Sequence, residues 1–567
     1  MKFNKVLIAM AVPMALAGCS SDDGNDVTCG EGSVLNPDNN MCEVVPGPPP
    51  TECGEGTVLD PDTNSCVIPP SEGPIDYYNS ANWAEKFPAE FASWAETEEN
   101  TPEAGPDDLL EANPNLVVAW AGYGFAKDYN RARGHHFALT DVIASLRTGN
   151  PMVSEDGTVV GEAMPANCWS CKTPDSARMF DQVGEGYFSD NSWSTWGHEM
   201  SNTIGCADCH ELGEDKLRLS RPFTDRAMTE IGRTFGQQEI AEQGNQVCAQ
   251  CHVEYYFDGT DNRNVKYPWD FWVPGVETNY AEQAGYQGDD DLYLGFTAEA
   301  QLAYYDAIGF KDWTNAISGA PSLKAQHPEY ENLADRQSAG MSSHMDFTCV
   351  TCHMPKASND DGVEYFRHNV RFDANALPSS CQGCHDADAF DTMLSARKAT
   401  INELRFGTNG SDARLTELHV KAQAIWSANG IKGINDGATI GEAKANYEGA
   451  LAAGTELAGE MNGLLTQIRN AQWFWDSATA SHGIHAHNPE EAIRLLTKTN
   501  AIIDAALVDA DALLTKYAAD YVYNPADYDS KAKNQPHAGL NLEKMQADKD
   551  TFIEERVKKE WPVDLQL

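Results

Sequence analysis

Apolar residues return at helical spacing only from about Ala389 onward. Between Pro489 and Tyr521, the positions Ala492, Leu495, Leu496, Asn500, Ile503, Ala506 and Leu507 recur near a 3.6-residue period, and Gly441 to Trp475 reads as another long helical stretch. Pro489 followed by Glu490 and Glu491 suits a helix N-terminus, where a missing N–H costs nothing and negative charge meets the dipole. Between Tyr77 and Asp386 the periodicity is lost, and Trp, Tyr and Gly are dense. Loop-rich chain of this kind is expected where cofactors, not side chains alone, fill the core. At the start, Lys2 and Lys5 precede an apolar run from Val6 to Ala17, too short to span a bilayer as a helix. No other stretch is apolar enough to cross. The pattern predicts a mainly α protein: one compact unit whose long C-terminal helices, about 389–525, pack within the subunit or form a dimerisation surface.

Composition narrows the function. Of 567 residues, 41% are hydrophobic, enough for a large core, while the formal net charge is −46. Such acidity excludes a nucleic-acid binder, which needs clustered basic residues against phosphate. Otherwise it reads as solubility in a salty or crowded compartment.

The fifteen cysteines are fully accounted for. Leu16-Ala17-Gly18-Cys19 resembles the lipobox of bacterial lipoproteins, which implies acylation of Cys19 and a mature chain that begins there. Ser20 and Ser21 follow instead of Asp, which in that class favours the outer membrane. The alternative is an ordinary signal peptide with an incidental cysteine. Four more cysteines lie in a tandem repeat of period 24, Cys29…Cys42 and Cys53…Cys66, each opening Cys-Gly-Glu-Gly. Short cysteine-bounded loops in an exported segment read as disulfides. Pro48-Pro49-Pro50 and Pro69-Pro70 mark the segment as a stalk, a spacer in preference to a docking element. The expected organisation is a signal at 1–18, a stalk at 19–74 and a catalytic unit at 75–567.

The remaining ten cysteines form five C-x-x-C pairs. Four continue into histidine: Cys206/Cys209-His210, Cys248/Cys251-His252, Cys349/Cys352-His353 and Cys381/Cys384-His385. Two thiols three positions apart can bond both vinyl groups of one haem, and the adjacent histidine then lies under the iron. At the Cys and His frequencies of this chain, one such motif arises by chance about 0.01 times. Zinc sites and thioredoxin-like pairs are the alternatives, and four repeats in an exported chain weigh against both. The fifth pair, Cys168-Trp169-Ser170-Cys171-Lys172, ends in lysine. An amine binds iron only when deprotonated, so burial and the metal must hold it neutral. Spacing alone leaves open a ligand from elsewhere with Lys172 solvated, or a simple disulfide.

Cys-Trp-Ser-Cys-Lys followed by four C-x-x-C-H motifs resembles the pentahaem, ammonia-forming cytochrome c nitrite reductases. The likeness runs from roughly Trp83 to Tyr521. It includes Arg133-Gly134-His135, Leu146-Arg147-Thr148-Gly149, His252-Val253-Glu254-Tyr255-Tyr256-Phe257, Lys324-Ala325-Gln326-His327-Pro328, His353-Met354-Pro355 and His487-Asn488-Pro489. The stalk lies outside it. The resemblance implies five covalently bound haem c groups. It also implies distal ligands: His368 for the second haem in chain order, His135 for the third, His487 for the fourth and His344 for the fifth. The first haem, on Lys172, then has an open face for nitrite, with Arg147, Tyr255 and His327 around it. One calcium ion would be held by Glu254, Gln326 and the carbonyls of Tyr255 and Lys324, hard oxygen donors of the kind calcium takes. Six histidines, His136, His198, His419, His482, His485 and His537, are left as ordinary polar residues.

By the same resemblance the chain is a periplasm-facing homodimer. It takes electrons from a small multihaem cytochrome or a membrane quinol dehydrogenase, and meets the membrane through lipid on Cys19. A locally positive funnel around Arg147, Lys172 and the calcium is expected despite the overall charge. The competing readings are an electron-transfer protein with every iron saturated, a related reductase of hydroxylamine, sulfite or tetrathionate, and a display lipoprotein whose active part is the stalk.

Overall fold

A computed structural model describes residues 75–99, 108–149, 164–259, 263–269, 294–338, 348–372, 382 and 385–563, with four short strands in the first 67 residues. The chain divides into two units, Met1–Ile75 and Asp76–Leu567.

In the first unit each copy of the repeat forms a two-stranded antiparallel hairpin, Ser33–Asn36 with Met41–Val44 and Val58–Leu59 with Cys66–Val67. Leu35 pairs with Cys42 and Leu59 with Cys66, so the 24-residue period is also a repeat of register. Cys19, Cys29 and Cys53 lie outside the described residues, and with them the expected lipid and disulfides.

The second unit is mainly helical. Its main core is built by the C-terminal helices Ala387–Phe406, Ser411–Ala428, Ile440–Ala452, Glu456–Ala480 and Pro489–Tyr517. The last two fold back on each other. One buries Met461, Leu464, Leu465, Ile468 and Trp475, the other Ala492, Leu495, Leu496, Ile503 and Ala506. Two expectations are corrected. Gly441 to Trp475 is not one helix: Gly454 turns left-handed at φ +63°, and Thr455 starts a new helix by accepting from Ala458 N. Helices also continue beyond residue 525, through Lys531–His537 and Leu542–Phe552 to a π turn at Ile553–Val557. At Asn500 the stripe is interrupted as well. Its amide donates to Leu404 O at 3.0 Å, while Thr499 takes the buried place.

A smaller aromatic core packs Trp169, Trp193, Phe188, Phe223, Tyr267 and Trp561. Trp169 and Trp193 stack at 4.4 Å and 12°, and Trp169 Nε1 donates to Trp193 O at 2.8 Å. Trp561 packs edge-on to both. The far C-terminus therefore buttresses the Cys168–Lys172 segment. Replacing Ile468, fully buried in the main core, by alanine is expected to cost about 2–5 kcal/mol, read as a lowered melting temperature of the purified protein.

Candidate active site

The four described C-x-x-C segments form helical turns, which put the two thiols on one side. Cys206–Cys209 starts at Gly205, whose N–H donates to Asp208 Oδ2 at 2.8 Å. Cys349–His353 starts at Thr348, which accepts from Thr351 N. Cys248 closes the Ile240–Ala249 helix. Arg221, 1% exposed, ties three of these segments together. Its guanidinium donates to Ser170 O (2.7 Å), Thr173 O (3.1 Å) and Asp208 Oδ1 (2.5 Å), and its backbone N–H to Gln250 Oε1 (2.9 Å). Ser170 and Thr173 flank Cys171-Lys172, so this one cation fixes the backbone on both sides of the lysine. Nothing in the sequence spacing marks Arg221.

These segments surround a cavity of about 3560 Å³, several times the roughly 300–1,000 Å³ of an ordinary ligand pocket. Its shape follows pairs of histidines. His210 faces His368 with ring centroids 6.1 Å apart, His252 faces His135 at 6.4 Å, and His353 faces His487 at 6.1 Å. About 6 Å is the separation two imidazoles adopt on opposite sides of one metal when each bond is about 2 Å. His210 Nδ1 lies 2.9 Å from Asp215 O, His353 Nδ1 2.9 Å from Val370 O and His368 Nδ1 2.7 Å from Phe366 O. With Nδ1–H donating to a carbonyl, Nε2 carries the lone pair, the tautomer a metal ligand needs. Burial pushes His135, His210, His353 and His368 down, His135 to about 4, so they stay neutral and able to ligate; at His252 burial is outweighed by the Glu329 carboxylate, which lifts the imidazole to about 9. Among the described residues no disulfide engages Cys168, Cys171, Cys206, Cys209, Cys248, Cys251 or Cys349. The donor set, the volume and the spacing fit haem. His385 packs edge-on to Phe390; Cys381, Cys384 and His344 lie outside the described residues.

Lys172 lines the same cavity, as do Arg147, Tyr255 and His327. It belongs to no opposed pair among the described residues, because His135, His368 and His487 each already face a motif histidine. Arg147 Nε donates to Ser145 Oγ at 3.0 Å and its guanidinium lies 4.3 Å from the Phe125 ring. Its terminal nitrogens meet no carboxylate among the described residues. Behind it, the buried Lys549 ammonium donates to Thr148 O at 2.9 Å. Burial holds the Tyr255 hydroxyl well above its usual range and the His327 imidazole well below. His327 stacks on His482, 5.6 Å away, so His482 is closer to the site than its reading as an ordinary polar residue implied. Of the other members of that group, His419 bonds Ser318 Oγ in the core, His537 bonds Asn435 Oδ1 at the surface, and His485 lines the cavity. Among the described residues fourteen Lys and Arg line the cavity against eleven Asp and Glu, a small basic excess in a chain of formal charge −46.

Beside the cavity lies a buried acidic group. Glu254, 1% exposed, accepts from Gln326 N at 2.5 Å and Tyr305 Oη at 3.2 Å. The Gln326 amide nitrogen donates to Lys324 O at 3.2 Å; turned over, the amide would set its oxygen beside that carbonyl, an arrangement that requires a cation between them. Glu331 accepts from Glu254 N and Trp269 Nε1. The Lys324 ammonium is engaged with Asp476 at 3.2 Å. Burial raises Glu254 well above the carboxylate range, Asp312 to about 7 and Glu331 to about 8. Several buried carboxyls with one lysine already paired are short of positive charge, and carboxylate, amide and carbonyl oxygens together suit a hard cation.

The fold and the cysteine–histidine segments define a c-type cytochrome. The family model for Cytochrome c552 matches residues 79–566, and the chain belongs to that family. Its fold is shared with the catalytic subunit of cytochrome c nitrite reductase from Desulfovibrio desulfuricans, a structure described for its two calcium sites. The two chains align with a TM-score of 0.58 and 24% identity, over 83% of this chain and 91% of that one.

One consequence concerns the acidic group. Without a cation, Asp312 and Glu331 stay neutral in the folded chain, whereas the unfolded chain has already ionised them. Stability then falls as pH rises from about 4, where the unfolded carboxyls ionise, up to about 7 for Asp312 and about 8 for Glu331, and levels off above. Chelator-treated protein is expected to show that loss in thermal melts, and added calcium to reverse it.

Proposed function

We propose that the chain is a pentahaem cytochrome c nitrite reductase that reduces nitrite to ammonium at the haem of Cys168, Cys171 and Lys172. The observation that carries this is an asymmetry. Three motif histidines each face a second histidine at ligand spacing, whereas Lys172 has no such partner among the described residues and lines the cavity together with Arg147, Tyr255 and His327. By the sequence resemblance the fifth motif, Cys381, Cys384 and His385, pairs with His344, which makes four bis-histidine haems for electrons and one open iron for substrate. When bound, the haems supply electrons and the vacant coordination position.

The protein groups then have separable tasks. Nitrite gains six electrons and eight protons to become ammonium and two waters. Arg147 holds the anion by charge-assisted hydrogen bonds, its Nε fixed on Ser145 so that the terminal N–H groups present a set direction. The Tyr255 hydroxyl stays protonated across the physiological range and donates to a substrate oxygen. His327, neutral at rest, passes protons inward and is reprotonated from its neighbours. Calcium on Glu254, Gln326 and the Tyr255 and Lys324 carbonyls would supply the missing positive charge and rigidify the segments that carry Tyr255 and His327.

Around this centre we place a homodimer joined through the C-terminal helices. It faces the periplasm on a lipid anchor at Cys19, with outer membrane favoured and the stalk as spacer. Its electrons come from a small multihaem cytochrome or a membrane quinol dehydrogenase. Among the described residues no helix is long and apolar enough to cross a membrane.

The deciding experiment is product analysis with purified holoprotein, nitrite and a reduced dye. Stoichiometric ammonium supports the proposal; nitric oxide as the end product, or no consumption of nitrite, overturns it. Arg147→Ala is expected to raise KM for nitrite about 10- to 100-fold, the worth of a charged hydrogen bond. Lys172→His is expected to keep its haem, seen in the covalent haem content, and to turn over nitrite more slowly, since a different donor changes the iron's electronics.

A further inference from the structure

Glu329 has no part in the scheme above, yet it stands between the electron path and the substrate pocket. It is the first residue of the Glu329–Ser338 helix, and its side chain is only 11% exposed. Oε1 accepts from His482 N at 2.6 Å. Oε2 is buried, has no hydrogen-bond partner among the described residues, and lies 3.8 Å from His252 Nδ1. At 3.8 Å the contact is electrostatic and not a full hydrogen bond.

That contact sets His252 apart. His210, His353 and His368 rest their Nδ1 atoms on neutral backbone carbonyls; His252 faces a carboxylate. A carboxylate charge beside the outer N–H of a ligand histidine polarises the ring and makes the imidazole a stronger donor. A stronger axial donor favours ferric over ferrous iron. The location gives this a use. The Cys251 and Cys171 thiols lie against each other, so the Cys248–Cys251 motif adjoins the Lys172 motif. The His252 ring is also 6.3 Å from that of His327.

We propose that Glu329 is a positioning residue for electron delivery: its negative charge beside His252 strengthens that imidazole as a donor and so holds the Cys248–Cys251 haem at a lower reduction potential than haems whose histidines rest on carbonyls. Electrons then leave that haem downhill toward the Lys172 haem. The inference rests on the ligation of His252 proposed above. A helix-capping acid at the same position would stabilise the helix dipole and leave haem potentials untouched, so the potential separates the two roles.

The test is spectroelectrochemical titration of Glu329→Gln holoprotein, followed by optical and EPR spectra. Five haems should be retained. One low-spin haem should titrate at higher potential with an altered EPR signal, and kcat should fall several-fold while KM for nitrite stays put. Glu329→Asp keeps the charge but draws the carboxylate back by one methylene. It is to move the same haem in the same direction and less far, and it stands in if the glutamine variant does not accumulate. Wild-type potentials in whichever of the two variants accumulates, with haem content intact, overturn the role of Glu329 alone. A low-spin spectrum unchanged in His252→Ala overturns the ligation itself, and with it the inference.

Discussion

Opposed imidazoles about 6 Å apart across a cavity of about 3560 Å³ are the constraint on which the rest of the structure hangs. A protein interior is normally close-packed, and a void that size would forfeit the dispersion contacts and buried area that hold a fold together. The chain tolerates it because haems belong there as core. The segments from Tyr77 to Asp386 have little hydrophobic periodicity because their apolar side chains are divided between lining the cavity and packing on one another in irregular clusters. The C-terminal helices supply an ordinary core on which that arrangement rests, and the aromatic cluster around Trp169 and Trp193 supplies a second.

Charge is handled locally. The chain is strongly acidic, yet the described residues of the cavity lining carry a small basic excess. Arg221 is the clearest case of a buried cation that earns its desolvation, since three carbonyl or carboxylate acceptors and a carboxamide fix it in place. Removing such a group leaves buried acceptors unpaired, which is dearer than the net worth of the bonds. Arg221 and Lys549 act from behind the site, the first on the carbonyls beside Lys172, the second on the carbonyl after Arg147. Neither touches the place where nitrite is proposed to bind.

Much was legible in the primary structure because covalent haem attachment is local chemistry. Two thiols and a ligand must lie within five consecutive residues, so Cys206, Cys209 and His210 announce themselves without any fold. Long helices were legible too, since one-sided burial imposes a 3.6-residue period. Their ends were not: the break at Gly454 depends on a left-handed turn and a threonine cap, and the continuation past residue 525 depends on Phe552 and Trp561 finding the Trp193 surface. Arg221, Glu329 and the place of His482 beside His327 were invisible, because each draws its meaning from neighbours far away along the chain.

The amino-acid order by itself determined the five C-x-x-C segments, the lysine in place of a histidine, the acidic overall charge and the helical C-terminal region. All of these are properties of short windows or of composition. Only the tertiary structure decided which histidine faces which, that Glu329 stands at His252 while other ligands rest on carbonyls, and that Arg147, Tyr255, Lys172 and His327 line one cavity. Those facts are distances between segments tens to hundreds of residues apart, and no local preference encodes a distance of that kind.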